Sequence, residues 1–319
     1  MNSSPQITVL IPAYNAGKYI GDAINSVLVQ SFTDFELLIV NDGSTDHTEE
    51  TIRSFSDPRI VLINREHAGV SAALNAGLDL AKSRYIARFD ADDICMPHRL
   101  EKQLGFLESH PDYVLAGSDA EYILENGDHL FNFTCIGHSH EEVMKKLYFY
   151  CPFIHSGVMY RKDDVMKAGG YSLHAHNFED YLLWTQLAKQ GKLCNLPETL
   201  IKVRFNPNSV TIDEKWRGNR FRKLKRSVIK RGSITRDEGN ELLAIIKNQD
   251  VQKIKQGSYH ALCGKKFLTD NYQPKKARKH IKEAIQLNTL RFDNYALFIA
   301  SYLPERMIRW LHKKSPNKL

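Results

Sequence analysis

Asp90, Asp92 and Asp93 place three carboxylates within four positions, directly after the apolar run Tyr85-Ile86-Ala87-Arg88-Phe89. β-Branched and aromatic residues in such a run predict a buried strand, so the acids stand at its carboxyl end. Like charges packed that closely repel one another and need a counter-charge. A divalent cation, Mn2+ or Mg2+, would supply it, because hard cations take oxygen ligands and leave other positions to water and substrate phosphates. A solvated acidic turn capping the next helix would explain an isolated Asp-x-Asp as well, so the surrounding residues must decide.

Two other clusters have the composition of a nucleotide pocket. Pro12-Ala13-Tyr14-Asn15 offers an aromatic face for a base, and Asn41-Asp42-Gly43-Ser44 offers a carboxylate able to accept the imide N–H of uracil or thymine. A cation at Asp90 and Asp92 would then neutralise the diphosphate of a bound nucleotide. Each feature also has a plain reading. Tyr14 could wall the sheet, and Asn-Asp-Gly-Ser is a common turn.

The elements that must position these residues alternate in type. Ile7–Ile11, Phe35–Val40, Arg59–Ile63 and 85–93 read as strands, the first ended by Pro12; Ala16–Gln30, a segment starting near His47, and Ala68–Ala81 read as helices. Such alternation predicts an α/β fold with a mainly parallel sheet covered on both faces. Ligands gather beyond the carboxyl ends of strands in such sheets, where all three loops lie.

Together with Thr8-Val9-Leu10-Ile11, Ala68-Gly69-Val70-Ser71-Ala72-Ala73-Leu74-Asn75-Ala76-Gly77 and Pro97, these loops form an ordered set. The set resembles the family 2 inverting glycosyltransferases of the bacterial cell-surface polysaccharide type, which have the Rossmann-like GT-A fold. The resemblance covers about the first 210 residues. It implies that Tyr14 and Asp42 bind the base, Asp90 the ribose, and Asp92 with Asp90 the metal, with Pro12, Asn15 and Ala91 completing the donor-binding set. It also implies that the Glu179-Asp180 pair, at the start of a helix, holds the base that takes the proton from the attacking hydroxyl. Asp180 is the usual carrier and Glu179 orients its neighbours; acids in a first helical turn are also stabilised by the helix dipole alone. In one departure, Asn206 in Arg204-Phe205-Asn206-Pro207-Asn208-Ser209-Val210-Thr211 stands where the family often has His. Asn is a much poorer ligand, which weakens the case for a third metal or phosphate contact.

On the acceptor side, Arg99–Ser109 reads as a helix, Tyr113–Ser118 and Cys151–Arg161 as strands, and Gly169-Gly170-Tyr171 as a turn. Asn126–Tyr150 has no clear periodicity. His155 and His176 are the acceptor candidates, and His155 reads equally well as a buried, hydrogen-bonded strand histidine.

From residue 213 onward the pattern is helical: Trp216–Arg231, Ile234–Asn248, Val251–Thr269, Pro274–Leu287 and Arg291–Leu303. The domain boundary is therefore placed between a GT-A domain at 1–212 and a basic helical region at 213–319. Residues 214–319 carry 26 Lys+Arg against 9 Asp+Glu, whereas 1–213 carry 18 against 28. That asymmetry suits a basic appendage meeting a phosphate-rich surface. Phe292–Leu303 is expected to pack its apolar face on the preceding helices, and Met307–Leu311, interleaved with cations, to meet a membrane peripherally.

Five cysteines without Cys-x-x-Cys spacing, a polar start leading straight into a strand, and no apolar run near ~20 residues point to a cytoplasmic protein or one on the cytoplasmic face of the inner membrane. The expected activity is metal-dependent, inverting, non-processive transfer of one sugar from a UDP-linked donor to a hydroxyl of a glycan or lipid-linked acceptor. A sugar-nucleotide pyrophosphorylase would want a Gly-rich basic loop after the first strand, which Pro12–Gly17 lacks. A nucleic-acid-binding protein would use the basic half, but no recognised motif supports it and no nucleic acid is expected as a partner.

Overall fold

The computed structural model describes residues 4–207, 217–248 and 252–314. Asn208–Thr211, the boundary at 212/213, Trp216 and Val251 lie outside the described residues. Four strands build the parallel part of the sheet: β1 (Ile7–Ala13), β2 (Phe35–Asn41), β3 (Ile60–Asn64) and β4 (Tyr85–Arg88), in the order β3-β2-β1-β4. β1 and β2 are nearly all buried because helices cover both faces, and Leu10 pairs in register with Leu38 on one side and Arg88 on the other. The intervening helices are α1 (Ile20–Leu28), α2 (Thr48–Arg53) and α3 (Val70–Leu80). α3 lies so close on β1 that a Cβ at Gly77 would come within 2.2 Å of Leu10 Cδ1.

The other half of the sheet is different in kind. β4 pairs antiparallel with β8 (Met159–Arg161), β8 with β6 (Tyr113–Ile123), and β9 (Lys192–Arg204) with the short β5 (Ile94–Cys95). β7 (His129–Phe133) forms a hairpin with β6. Helices α4 (Arg99–Ser109), α5 (His140–Lys146), α6 (Lys162–Lys167) and α7 (Glu179–Leu187) complete this part. Among the described residues nine strands form one sheet.

Three expectations from the sequence are corrected. The strand expected over 85–93 ends at Arg88, because the Asp90 N–H turns to the Ser156 hydroxyl (3.0 Å) and the chain folds into a turn. The strand expected over Cys151–Arg161 is confined to Met159–Arg161, and His155–Gly157 forms a 3-10 turn. Pro152 has no ladder donor, and its carbonyl accepts instead from Asn195 Nδ2 (3.1 Å). β1 continues through Pro12 to Ala13. Within Asn126–Tyr150, α5 opens on a capping box in which Ser139 Oγ accepts from the Glu142 N–H (3.3 Å) and the Glu142 carboxylate accepts from the Ser139 N–H.

The chain divides into two compact units. One gathers the chain up to Glu121 with Asn132–Arg204 and Arg220–Leu243; the other gathers Tyr122–Phe131, the described residues of Phe205–Asn219 and the chain from Ala244 on. In the first unit α8 (Asn219–Arg231) places Phe221 edge-on to Phe178 and Lys225 over the rings of Phe178 and Tyr181, and α9 (Arg236–Asn248) brings Gly239 against His174. In the second, α10 (Gln252–Thr269) and α11 (Pro274–Leu287) form the expected helical hairpin on Cys263, Phe267, Ala277, Ile281 and Ala284. α12 (Phe292–Ala300) and α13 (Glu305–Lys314) follow. α12 contradicts its expected packing: Asn294 is its buried residue, whereas Phe292 is 81% and Ile299 69% exposed. Among the described residues no helix is long and apolar enough to cross a membrane.

Adding a methyl group at Gly77 should overpack the α3–β1 contact and lower stability by roughly 1–3 kcal/mol. Urea denaturation of Gly77→Ala should show this loss, and Leu10→Val in the same chain should recover part of it.

Candidate active site

The loop after β4 carries the strongest electrostatics. Carboxylate oxygens of Asp90, Asp92 and Asp93 lie within 4.8 Å of one another. Beneath them Arg88, sealed inside the protein, pairs through Nη1 with Asp90 Oδ2 at 2.6 Å. Burial works against the Arg88 charge, but Asp90 outweighs it and holds the guanidinium protonated. The last residue of β9, Arg204, donates its N–H to Asp93 Oδ1 (2.8 Å) and its Nε–H to the Asp92 carbonyl (2.9 Å), while Nη2 lies 3.4 Å from Asp22. Arg99 of α4, also buried, donates to the carbonyls of Arg88 (2.7 Å) and Val158 (3.1 Å), tying β4 to the turn before β8.

These cations do not fully satisfy the acids. Burial, then the neighbouring Asp90, pushes Asp92 up to about 6. Burial, then Asp92 and Asp90, raises Asp93 well above the usual carboxylate range. An all-oxygen set with raised proton affinity fits a hard divalent cation, which would take the place of the protons. Asp90 and Asp92, each partly open to solvent, are the residues that would hold it; Asp93 is buried behind them.

The base-side loops are stapled together by backbone and side-chain bonds. Asn15, in the left-handed region at φ 49°, donates its N–H to Ser44 Oγ (3.0 Å) and accepts the Thr45 N–H on Oδ1 (2.8 Å). Asp46 accepts from the Gly17 N–H (3.0 Å). Tyr14 does not wall the sheet: it is 48% exposed and stacks on His67 with ring centroids 4.0 Å apart. Asp42 is buried, and its carboxylate accepts the N–H groups of Ala68 (3.2 Å) and Gly69 (2.8 Å) at the start of α3, with Arg65 Nε at 3.3 Å and His67 Nδ1 at 2.9 Å. This carboxylate therefore fixes the β3–α3 loop and, through His67, the Tyr14 ring.

Within electrostatic reach of Arg88 and Asp90, Glu179 and Asp180 open α7. Burial, then the adjacent Asp180, pushes Glu179 up to about 7. Asp180 Oδ1 accepts the N–H of Tyr181 at 2.6 Å. His155 Nε2 lies 3.1 Å from the Tyr171 hydroxyl, which lies 3.2 Å from that of Tyr160. Burial, then Arg88, lowers the His155 pKa, so the ring is neutral at neutral pH. His155 is thus a half-buried, hydrogen-bonded histidine, but in a 3-10 turn rather than a strand. His176 sits half-buried in the loop before α7, and Asn206 half-buried just beyond β9.

Three positioning residues escaped the sequence reading. Arg88 lies inside an apolar strand and Arg204 at the head of a loop motif, so the pattern of neither marks a partner. Asn75 of α3 clamps the acceptor-side loop: Nδ2 donates to the Tyr171 carbonyl and Oδ1 accepts the Tyr171 N–H, both at 2.8 Å. Gly170 has φ 71°, and a Cβ there would meet Asn75 Oδ1 at 2.7 Å, so a glycine before Tyr171 was the available signal.

Residues 8–168 match the family described as "Glycosyl transferase family 2". Over 215 residues, 66% of this chain and 80% of the relative, the sequence is 32% identical to the amylovoran biosynthesis glycosyltransferase AmsE of Erwinia amylovora. Over 209 residues, 64% and 81%, it is 31% identical to the O-antigen biosynthesis glycosyltransferase WbnJ of Escherichia coli. Among solved structures, S. aureus TarS 1-349 in complex with UDP-GlcNAc is similar with a TM-score of 0.57 at 16% identity, covering 97% of this chain and 92% of that one. The mannosyltransferase PcManGT from Pyrobaculum calidifontis, in complex with GDP-Man and Mn2+, gives 0.55 at 17%, covering 98% and 85%. At these identities the structural likeness speaks for the fold, which is the GT-A fold with a helical C-terminal region.

Asp92 binds its proton more tightly in the folded chain than the ~3.9 of an unfolded aspartate. Its contribution to stability is therefore complete below about pH 4 and is lost as the pH rises through about 6. Without divalent cations, Asp92→Asn should gain about 1–3 kcal/mol relative to the wild type between about pH 4 and pH 8. Urea denaturation across that range measures it; parallel curves would contradict the assigned proton affinity.

Proposed function

The chain belongs to glycosyl transferase family 2, and on that premise we propose that it transfers one sugar, with inversion and without processive polymerisation, from a nucleotide-diphosphate donor to a hydroxyl of a glycan or lipid-linked acceptor in cell-surface polysaccharide synthesis. The observation that carries this reading is the cluster of under-compensated carboxylates at the β4 end, with an exposed aromatic after the neighbouring β1 and a second acid pair within electrostatic reach. Relatives named for amylovoran and O-antigen biosynthesis support the polysaccharide assignment. The neighbours in complex with UDP-GlcNAc and with GDP-Man and Mn2+ support a nucleotide-sugar donor and a divalent cation. A UDP-linked donor suits the Asp42 carboxylate, which can share an imide N–H.

In this reading Tyr14 stacks on the base, Asp42 holds the pocket and accepts from the base edge, and Pro12, Asn15 and Ala91 shape the donor site. Asp90 binds the ribose, and Asp92 with Asp90 holds the cation. Bound there, Mn2+ or Mg2+ would neutralise the diphosphate and the charge that grows on it as leaving group. Asp180 takes the proton from the attacking hydroxyl, while Glu179, with a pKa of about 7, shares a proton with the acceptor hydroxyls. His155 and His176 flank the acceptor. Residues 1–212 carry the donor and acceptor sites; of the basic chain expected beyond them at 213–319, Arg220–Leu243 belong to the first unit and the chain from Ala244 on to the second. The pKa of Glu179 also favours a second assignment in which it is the base.

Asp180→Asn should keep UDP affinity within a few-fold and cut transfer by roughly 10² or more, because only proton abstraction is lost. Calorimetry with UDP and Mn2+, paired with turnover of a UDP-sugar, decides it. An active Asp180→Asn beside a crippled Glu179→Gln would exchange the two roles. Asp92→Ala should abolish metal-dependent UDP binding while the thermal unfolding transition survives; unchanged affinity would remove the metal assignment.

A further inference from the structure

α12 is apolar on both sides: Leu297 and Phe298 are half-buried beside Asn294, while further large apolar residues face outward. Asn294 packs inward with Nδ2 donating to the Ala284 carbonyl (3.3 Å), and Ser301 is buried just beyond the helix. Phe292, Tyr295, Ile299 and Tyr302, spaced by three, four and three, share the outward face. α13 continues the pattern: Ile308 is buried, while Met307, Trp310 and Leu311 are exposed, Trp310 by 55%. Solvent-facing helices of water-soluble domains place such residues inward.

Cations surround this apolar strip. Arg306 and Arg309 are exposed on α13, the guanidinium of Arg278 lies 4.6 Å from the Tyr302 ring, and Lys282 Nζ lies 5.9 Å from the Phe298 ring. Arg309 shares its charge with Glu305, but 16 Lys+Arg against 5 Asp+Glu over 244–319 leave this part of the chain strongly positive. Two copies of the chain meeting through this face would bring like charges together. A surface with negative headgroups and an apolar layer beneath them matches both of its features. We propose that the outward face of α12 and α13 docks on a lipid bilayer carrying anionic headgroups. The inference is independent of the donor and acceptor assignments.

Flotation of the full chain with phosphatidylcholine vesicles containing phosphatidylglycerol, against pure phosphatidylcholine, tests it. Binding is expected to the anionic vesicles, with release at high salt. Each cation near the surface is worth roughly fivefold in partitioning, so Arg306→Gln/Arg309→Gln should lose tenfold or more. Phe292→Ser/Ile299→Ser/Trp310→Ser should lose at least as much. Unchanged thermal melting of both variants would show that they fold. Absence of binding, equal binding to pure phosphatidylcholine, or unchanged binding of either folded variant would overturn the proposal. So would a wild-type dimer that the apolar variant converts to monomer in sedimentation.

Discussion

The ion pair between Arg88 and Asp90, 2.6 Å long with its guanidinium sealed inside the sheet, is the contact around which the candidate site is assembled. A buried guanidinium that loses its partner is left uncompensated, at a cost of about 3–5 kcal/mol. Asp90 is thus held at the end of β4 whether or not a ligand is present. Arg88 faces both sides of the site. It draws down the proton affinity of Asp92 and Glu179, and it helps to keep His155 neutral. One buried cation therefore couples the acids proposed for the donor side to those proposed for the acceptor side.

The mixed sheet explains how these groups meet. The parallel half delivers Tyr14, Asp42 and Asp90 at successive strand ends, as any doubly covered parallel sheet would. The antiparallel half brings in residues from distant chain positions: β9 ends with Arg204 against Asp93, and the turn before β8 supplies Ser156 to the Asp90 N–H. Asn75 then binds α3 to the loop that carries Tyr171, whose hydroxyl meets His155. Most of these contacts run to backbone groups, so the site is a property of chain path as much as of side-chain identity.

The parallel half was legible in the sequence because its signals are local. Five-residue apolar runs, amphipathic helices and polar strand ends need no distant partner to be recognised, and outside that half α4 and α11 likewise fall at the bounds their periodicity gives. β9 was missed because Pro197 and Glu198 interrupt its apolar pattern, and its pairing is set by strands far away in the chain. Cys151–Arg161 misled because β-branched and aromatic residues also suit a buried turn. The outward face of α12 was misread because periodicity shows that a helix has an apolar face but not which way it points. Of the site, the acids could be found from sequence; their arginine supports could not, since a charged residue inside a strand pattern carries no mark of its partner.

The carboxylates at the end of β4 are proposed to bind a nucleotide diphosphate through a divalent cation. Anomalous diffraction from crystals grown with UDP and Mn2+ tests it most directly. A manganese peak is expected at about 2 Å from an oxygen of Asp92 and in contact with the diphosphate. UDP held beside Tyr14 with no metal at the carboxylates, or manganese bound away from them, would contradict it.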